Sequence, residues 1–336
     1  MLHHSEDAIR VGGVTARPGE RACGHWQVGE MQDGTPVRLP VVLLRGRQPG
    51  PVLYVQAASD GDELNGIASI HGFLEEVSPN RLRGAIIAIP VVNYHAFHAR
   101  AAHSPVDGKK MNRCFPGDAR GSSSERIAHT LFHGAVLQAD LCVDLHQGGV
   151  KPMIDEVRVR VARDHERHAD CMRLAATFGI GYILDEEGPQ GQLARAATDE
   201  GIPTIDPELG GAHGWDAVSI GKGRQGLLNV ARAYGLLPGR PRPPDRQYVV
   251  RAFAPIRPPR GGFVQYAVSR YDFVAAGQTV ATIHTVFGEP VETVAAPVAG
   301  IVWSQSVYPM AATGETILTL GVEPETLEDR DAPREQ

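Results

Sequence analysis

Residues 59–66 read SDGDELNG, so three carboxylates, Asp60, Asp62 and Glu63, crowd between glycines directly after the apolar run VLYVQAA. A solvated turn uses such residues, and so does the rim of a metal site. Two later stretches also put a polar group at the end of an apolar run: His146 in VDLHQGG and Glu208 in IDPELGG. One imidazole and two carboxylates can hold zinc and leave a position for water. A further carboxylate beside that water can take its proton and return it to a leaving group. Glycines flank all three stretches, as close backbone approach requires. A fourth cluster, DGKKMNRCFPGDARG, sets Asn112 beside Arg113. The rigid guanidinium fork matches a carboxylate, and the amide adds a donor. A surface loop is the plainer reading of that stretch, with Lys109 and Lys110 solvated.

Other chemistries find less support. No G-x-S-x-G elbow is present, and GSSSE reads as a helix cap. GKGRQG lacks the order of a phosphate-binding loop. His98, His103, His129 and His133 read as surface residues, whereas His213, close to Glu208, is a candidate for the pocket. Cys23, Cys114, Cys142 and Cys171 show no zinc or redox spacing, so reduced thiols are expected. A net charge of -6 gives no general attraction for nucleic acid or anionic membranes. The start, MLHHSEDAIR, has no apolar core of a signal peptide. The apolar run GAIIAIPVV is about half the length that spans a bilayer. A cytoplasmic protein with no nucleic-acid or membrane partner is expected.

The polar groups must be positioned by alternating strands and helices. PVLYVQAA, GAIIAIPVV, DLCVDLH and GIPTIDPEL read as core strands. Leu64, Ile67, Ile70, Leu74 and Val77 recur at three and four, the spacing of one helix face. SSSERIAHTLFHGAVLQA, HERHADCMRLAATFG, QLARAATDE and GKGRQGLLNVARAYGLL are also helical in pattern. The fold class is therefore α/β, a parallel or mixed sheet covered on both faces, over residues 1–240. PGRPRPPDR is a proline-rich linker. Valine-rich runs between glycine turns then predict a smaller all-β domain over 241–322, followed by an acidic tail, 323–336, expected to be disordered. Ligand sites in α/β sheets gather at the carboxyl ends of the strands, where all three motifs fall.

Taken in this order, the chain resembles the succinylglutamate desuccinylase/aspartoacylase family of zinc amidohydrolases, relatives of the metallocarboxypeptidases, over roughly residues 45 to 320. SDGDELNG resembles that family's first metal motif, DGKKMNRCFPG its Asn-Arg substrate motif, VDLHQGG its third-ligand motif and GIPTIDPELGG its catalytic-glutamate segment. The resemblance implies a metallocarboxypeptidase-like mixed sheet flanked by helices. It implies one Zn2+, or another divalent metal, per chain, held by Asp60, Glu63 and His146. Glu208 would activate the attacking water, and Asn112 and Arg113 would hold a carboxylate of a small amide substrate. The reaction implied is deacylation of an N-acylated amino acid or a related compound. Asp60 stands where the family usually has histidine, and Ala102 stands where it often has an oxyanion-stabilising arginine, leaving Arg100 as a catalytic stand-in. These departures keep a catalytically silent carboxylate-binding protein open, and an esterase or carboxypeptidase of the same metal class is a further alternative. The β domain resembles the family's biotinyl/lipoyl-like barrel. It lacks a carrier lysine in PVAGIV and is read as a wall of the active-site entrance or a surface for homo-oligomer formation. Tyr266, Tyr271 and Tyr308 are candidate substrate contacts there.

Overall fold

Strand and helix elements alternate along the first two thirds of the chain in the computed structural model, which describes residues 8–148, 152–211 and 214–327. A hairpin, β1 (Ile9–Val11) and β2 (Val14–Ala16), is followed by β3 (Glu20–Glu30), β4 (Pro36–Arg45), β5 (Gln48–Ala57), α1 (Asn65–Glu76), β6 (Arg83–Ile89) and α2 (Tyr94–Ala99). Then come α3 (Ser123–Gly134), β7 (Leu141–Leu145), β8 (Glu156–Val159), α4 (His168–Phe178), β9 (Tyr182–Asp185), α5 (Leu193–Asp199), β10 (Thr204–Glu208) and α6 (Ala217–Ala233). The last part holds strands alone: β11 (Tyr248–Val250), β12 (Phe253–Ile256), β13 (Gly262–Tyr266), β14 (Phe273–Val274), β15 (Thr279–His284), β16 (Pro290–Ala295), β17 (Gly300–Gln305), β18 (Met310–Ala311), β19 (Leu318–Val322) and β20 (Glu325–Thr326).

Ten strands form one mixed sheet in the order β20-β11-β9-β8-β10-β7-β5-β6-β4-β3. Its centre is parallel, β6 beside β5, β5 beside β7 and β7 beside β10, while β8 runs antiparallel to β10. One face is covered by α1, α4 and α6, whose Ile70, Phe73, Leu174, Phe178 and Leu227 are buried against Leu53, Val55, Val143 and Ile205. The other face is covered by α3, α5 and the β1–β2 hairpin, packed on Tyr54, Ile87 and Cys142. In α1 the apolar spacing predicted from the sequence puts Ile67, Ile70, Phe73 and Leu74 inside. The serine run caps α3 as expected: Ser122 and Glu125 complete a capping box.

Two elements escaped the sequence reading. The short helix α2 follows β6, and the EVRV strand β8 carries no turn signal ahead of it. A third difference lies after the linker. β11 joins the large sheet beside β9, and β20 pairs with β11. Glu325–Thr326 thus form a strand inside the stretch expected to be disordered, because the open edge of β11 offers unpaired backbone groups. Residues 328–336 of that tail lie outside the described residues.

Between β11 and β20, two four-stranded antiparallel sheets, β12-β19-β17-β14 and β16-β15-β13-β18, enclose Val264, Val280, Ile283, Val302 and Leu320. Trp303, Met153, Ile154, Leu184 and Val250 make a separate apolar cluster where this β region meets the large sheet. Ile154 donates its backbone N–H to Trp303 O at 2.8 Å, so the two parts are also joined by main chain.

Candidate metal centre

Strand alternation builds the centre. Side chains two apart share a face, so Asp144 of β7 and the next residue but one, His146, point the same way. The parallel register sets Thr204 beside Cys142 and Glu208 beside His146. Asp206 therefore falls beside Asp144. Across the antiparallel pair, Arg158 faces Asp206 and Glu156 faces Glu208. Gln56 of β5 flanks Asp144 on the other side. A buried polar ladder results, running across four strands at the carboxyl end of the sheet, on the face covered by α3 and α5.

The turn holding Asp60 and Glu63 is fixed by its glycines. A Cβ on Gly61 would lie 2.0 Å from the backbone of Ala96 in α2, and one on Gly66 would lie 2.8 Å from Leu145 Cβ. Glu63 reaches inward. Its Oε2 lies 3.0 Å from His146 Nδ1 and accepts the Gln147 N–H at 3.1 Å. Gln147 Oε1 in turn accepts the Leu64 and Asn65 N–H groups at the start of α1. On the far side of the ring, Nε2 is 3.1 Å from Asp144 Oδ2 and 3.2 Å from the Asn112 amide nitrogen. Asp144 Oδ1 accepts from Gln56 at 2.9 Å and Ser59 at 3.3 Å, which fixes that carboxylate.

Asp144, His146 and Asp206 form a buried His/Asp cluster suited to a divalent metal, with ligand atoms within 4.8 Å of one another. Among the described residues this is the one such group, so Asp60 does not close with Glu63 and His146 within that distance. Asp60 instead pairs with Lys110 at 2.6 Å. The lysine read as solvated is therefore committed inward, while Lys109 pairs with Glu125 at 2.7 Å. Asn112 is buried and accepts the Leu193 N–H through Oδ1 at 3.3 Å. Arg113 is exposed and folds its guanidinium onto the Asn112 carbonyl. Arg100 caps α2 with φ +52° and lines a cavity of about 520 Å³ together with Asp62, Leu64, Phe97 and His98. His213 lies outside the described residues. Tyr271 donates to Asp155 Oδ2 at 2.9 Å and Tyr266 to Ile317 O at 3.0 Å, whereas Tyr308 is exposed.

Charge is unbalanced here. Asp60, Glu63, Asp144, Glu156, Asp206 and Glu208 are buried, against Lys110, Arg158, Arg160 and a protonated His146. Fully ionised, six negative charges meet four positive ones, and a metal on His146 would replace that ring's proton, so the carboxylates exceed the chain's own cations. Burial pushes Glu63 up to about 8 against the pull of His146, and pushes Asp206 up to about 7. Burial disfavours the His146 charge, but Asp144 and then Glu63 hold its proton well above the ordinary imidazole value. Burial would also raise Glu208. Arg158, 3.0 Å away, then His146, Arg160 and Lys110 outweigh it and hold that carboxyl below its usual value. Asp60 Oδ1, Glu156 Oε2 and Asp206 Oδ1 are buried without hydrogen bonds, as acceptors awaiting a cation would be. The donor set thus fits a divalent ion. His146 Nδ1 faces Glu63 and Nε2 faces Asp144, so the ring has a carboxylate on either side.

Arg158, Arg160, Asp144 and Asp206 were not singled out from the sequence. Their signal was present in E-V-R-V-R, D-L-H and T-I-D-P-E, where polar residues alternate with apolar ones at the strand period.

A model of the succinylglutamate desuccinylase/aspartoacylase catalytic domain matches residues 49–234. N-alpha-acetyl-L-2,4-diaminobutyric acid deacetylase of Halomonas elongata is 28% identical over 255 residues, 74% of this chain and 74% of that protein. The crystal structure of a succinylglutamate desuccinylase/aspartoacylase from Rhodobacter sphaeroides is 25% identical, with a TM-score of 0.79 over 90% of this chain and 96% of that one. The product-bound ectoine utilization protein EutE (DoeB) of Ruegeria pomeroyi superposes with a TM-score of 0.80 at 24% identity, covering 95% of this chain and 100% of that one. Among the described residues no helix is long and apolar enough to cross a membrane.

Proposed function

The chain belongs to the succinylglutamate desuccinylase/aspartoacylase family, and from that premise we propose that it is a zinc-dependent deacylase of a small N-acylated amino acid or a related carboxylate-bearing amide. The observation that carries this reading is the convergence of Glu63, His146 and Glu208 at the carboxyl end of the central strands. Glu63 and His146 Nδ1 would hold the ion, with Asp60 completing the set. When bound, a divalent ion polarises the amide carbonyl and makes water acidic enough to attack near neutral pH.

The chain's own groups supply the rest. Glu208, kept ionised by Arg158, takes a proton from the attacking water and passes it to the leaving amine. Asn112, its amide nitrogen 3.2 Å from His146 Nε2, and its neighbour Arg113 would receive a substrate carboxylate, Arg113 by turning from the Asn112 carbonyl. The Halomonas relative's name specifies an Nα-acetyl amide with a carboxylate and a further amine. The cavity beside the Asp60–Glu63 turn offers Asp62 to the further amine of such a substrate. Arg100 takes the oxyanion role left by Ala102. The β region is a candidate contact for a second copy of the chain.

A second reading, a carboxylate-binding protein without turnover, is favoured by the Asp60–Lys110 pair. One experiment separates the two. The zinc-loaded protein is assayed on a panel of N-acetyl and N-succinyl amino acids, with a chelator-treated sample and Glu208→Gln alongside. The deacylase reading expects turnover that falls at least about 100-fold in Glu208→Gln and on chelation, with substrate binding kept in the variant. Carboxylate binding without product in the zinc-loaded wild type would leave only the second reading.

A further inference from the structure

Lys110 and Asp60 meet at 2.6 Å, and the two partners differ in freedom. Asp60 is buried in a turn fixed on both sides. Ala58 before it holds φ +55°, and Gly61 after it lies against the backbone of α2 and donates to Ala101 O. Lys110 carries its ammonium on four rotatable carbons, with about a third of the side chain exposed. If one partner leaves, it is the lysine.

The pairing is also selective. Consecutive lysines separate, Lys109 to Glu125 at the start of α3 and Lys110 to Asp60 at the centre. Only one oxygen of Asp60 is used. Oδ1 is buried with no hydrogen-bond partner. The ammonium also acts on Glu208, since its charge is among those holding that carboxyl ionised. A cation of the chain's own thus sits where the surplus of carboxylates calls for a metal.

We propose that Lys110 is a built-in counter-cation, which holds Asp60 away from the Glu63–His146 pair and competes with a divalent ion for the centre. The inference rests on the metal-dependent reading of that centre. With the lysine in place, a divalent ion beside Glu63 meets a like charge in a poorly screened region, and Asp60 is withheld as a donor. Loading therefore requires the lysine to swing out to solvent. Lys110 acts on the chemistry through Asp60 and is a positioning residue.

The test compares metal-stripped wild type, Lys110→Met and Lys110→Arg, each titrated with Zn2+ against a chromophoric chelator. Lys110→Met should bind zinc at least about tenfold more tightly than wild type, and Lys110→Arg, which keeps the charge, should stay within about threefold. In the wild type, acylation of Lys110 by an amine-reactive ester, read by mass spectrometry, should speed up when zinc is added. That second measurement stands even if Lys110→Met does not fold. Equal or weaker zinc binding by a folded Lys110→Met, or a Lys110 labelling rate indifferent to zinc, overturns the inference and leaves the metal-dependent reading intact. Failure of all three proteins to bind zinc overturns both.

Discussion

At the scale of single residues, Asp144 decides which way His146 faces. It is fully buried, fixed through Gln56 and Ser59, and set against Nε2 of the ring, so Nδ1 is left toward Glu63. Asp144→Asn keeps the shape and removes the charge. Zinc affinity should fall about 10- to 100-fold, measured by chelator competition, with little change in the fold by circular dichroism. Unchanged affinity would mean the carboxylate is packing rather than orientation. Asp60, Glu63, His146 and Glu208 stood out in the sequence because each sits where an apolar run ends beside glycines. Arg158, Arg160 and Lys110 were not. Arginines in and just after a short strand look like an exposed edge until the fold sets Arg158 against Glu208 and Arg160 beside Asp206. A lysine in a basic run looks solvated until its partner, fifty residues earlier in the chain, is known to lie beside it.

At the scale of elements, the stretch from Ser104 to Gly121 carries Lys110, Asn112 and Arg113, and two carboxylates hold it. Asp107 accepts from the Ser124 N–H at 2.7 Å and the Ser124 hydroxyl at 2.9 Å, and Glu125 accepts the Ser122 N–H at 2.8 Å. Burial would raise Asp107, but these hydrogen bonds bring it down to about 2. Lys109 and then the Ser122 hydrogen bonds bring Glu125 to about 2 as well. Both carboxyls have folded values below their ordinary ones of 3.8 and 4.5. Their stabilisation is therefore present above about pH 4.5 and lost as pH falls toward 2. Asp107→Asn should lower Tm at neutral pH, and the gap to wild type should close to within about 1 °C at pH 2. Parallel melting curves across that range would contradict it. The helix α3 was legible from its capping residues and apolar spacing. The six-residue α2 was not, because so short a segment shows less than two turns of pattern, and tertiary contact with the Gly61 turn fixes it.

At the scale of the whole molecule, the mixed sheet gathers ionisable groups from distant parts of the chain onto one face and buries them. Alternation along β7, β8 and β10 makes that gathering unavoidable once the register is set. The sequence showed the alternating pattern of strands and helices and the later change to strands alone, which is why the α/β class and the smaller β region were readable in advance. It did not show that β11 and β20 rejoin the large sheet on either side of the β region, since two- and three-residue strands are defined by their partners and not by their composition. The buried carboxylates outnumber the chain's own cations, and the central claim is that a divalent ion sits between Glu63 and His146. The most direct test is anomalous diffraction from crystals of the wild type grown with excess Zn2+. One ion should appear about 2.0–2.2 Å from a Glu63 oxygen and from His146 Nδ1. An ion on the Nε2 side, between Asp144 and Asp206, or no ion at saturating zinc, would contradict the account.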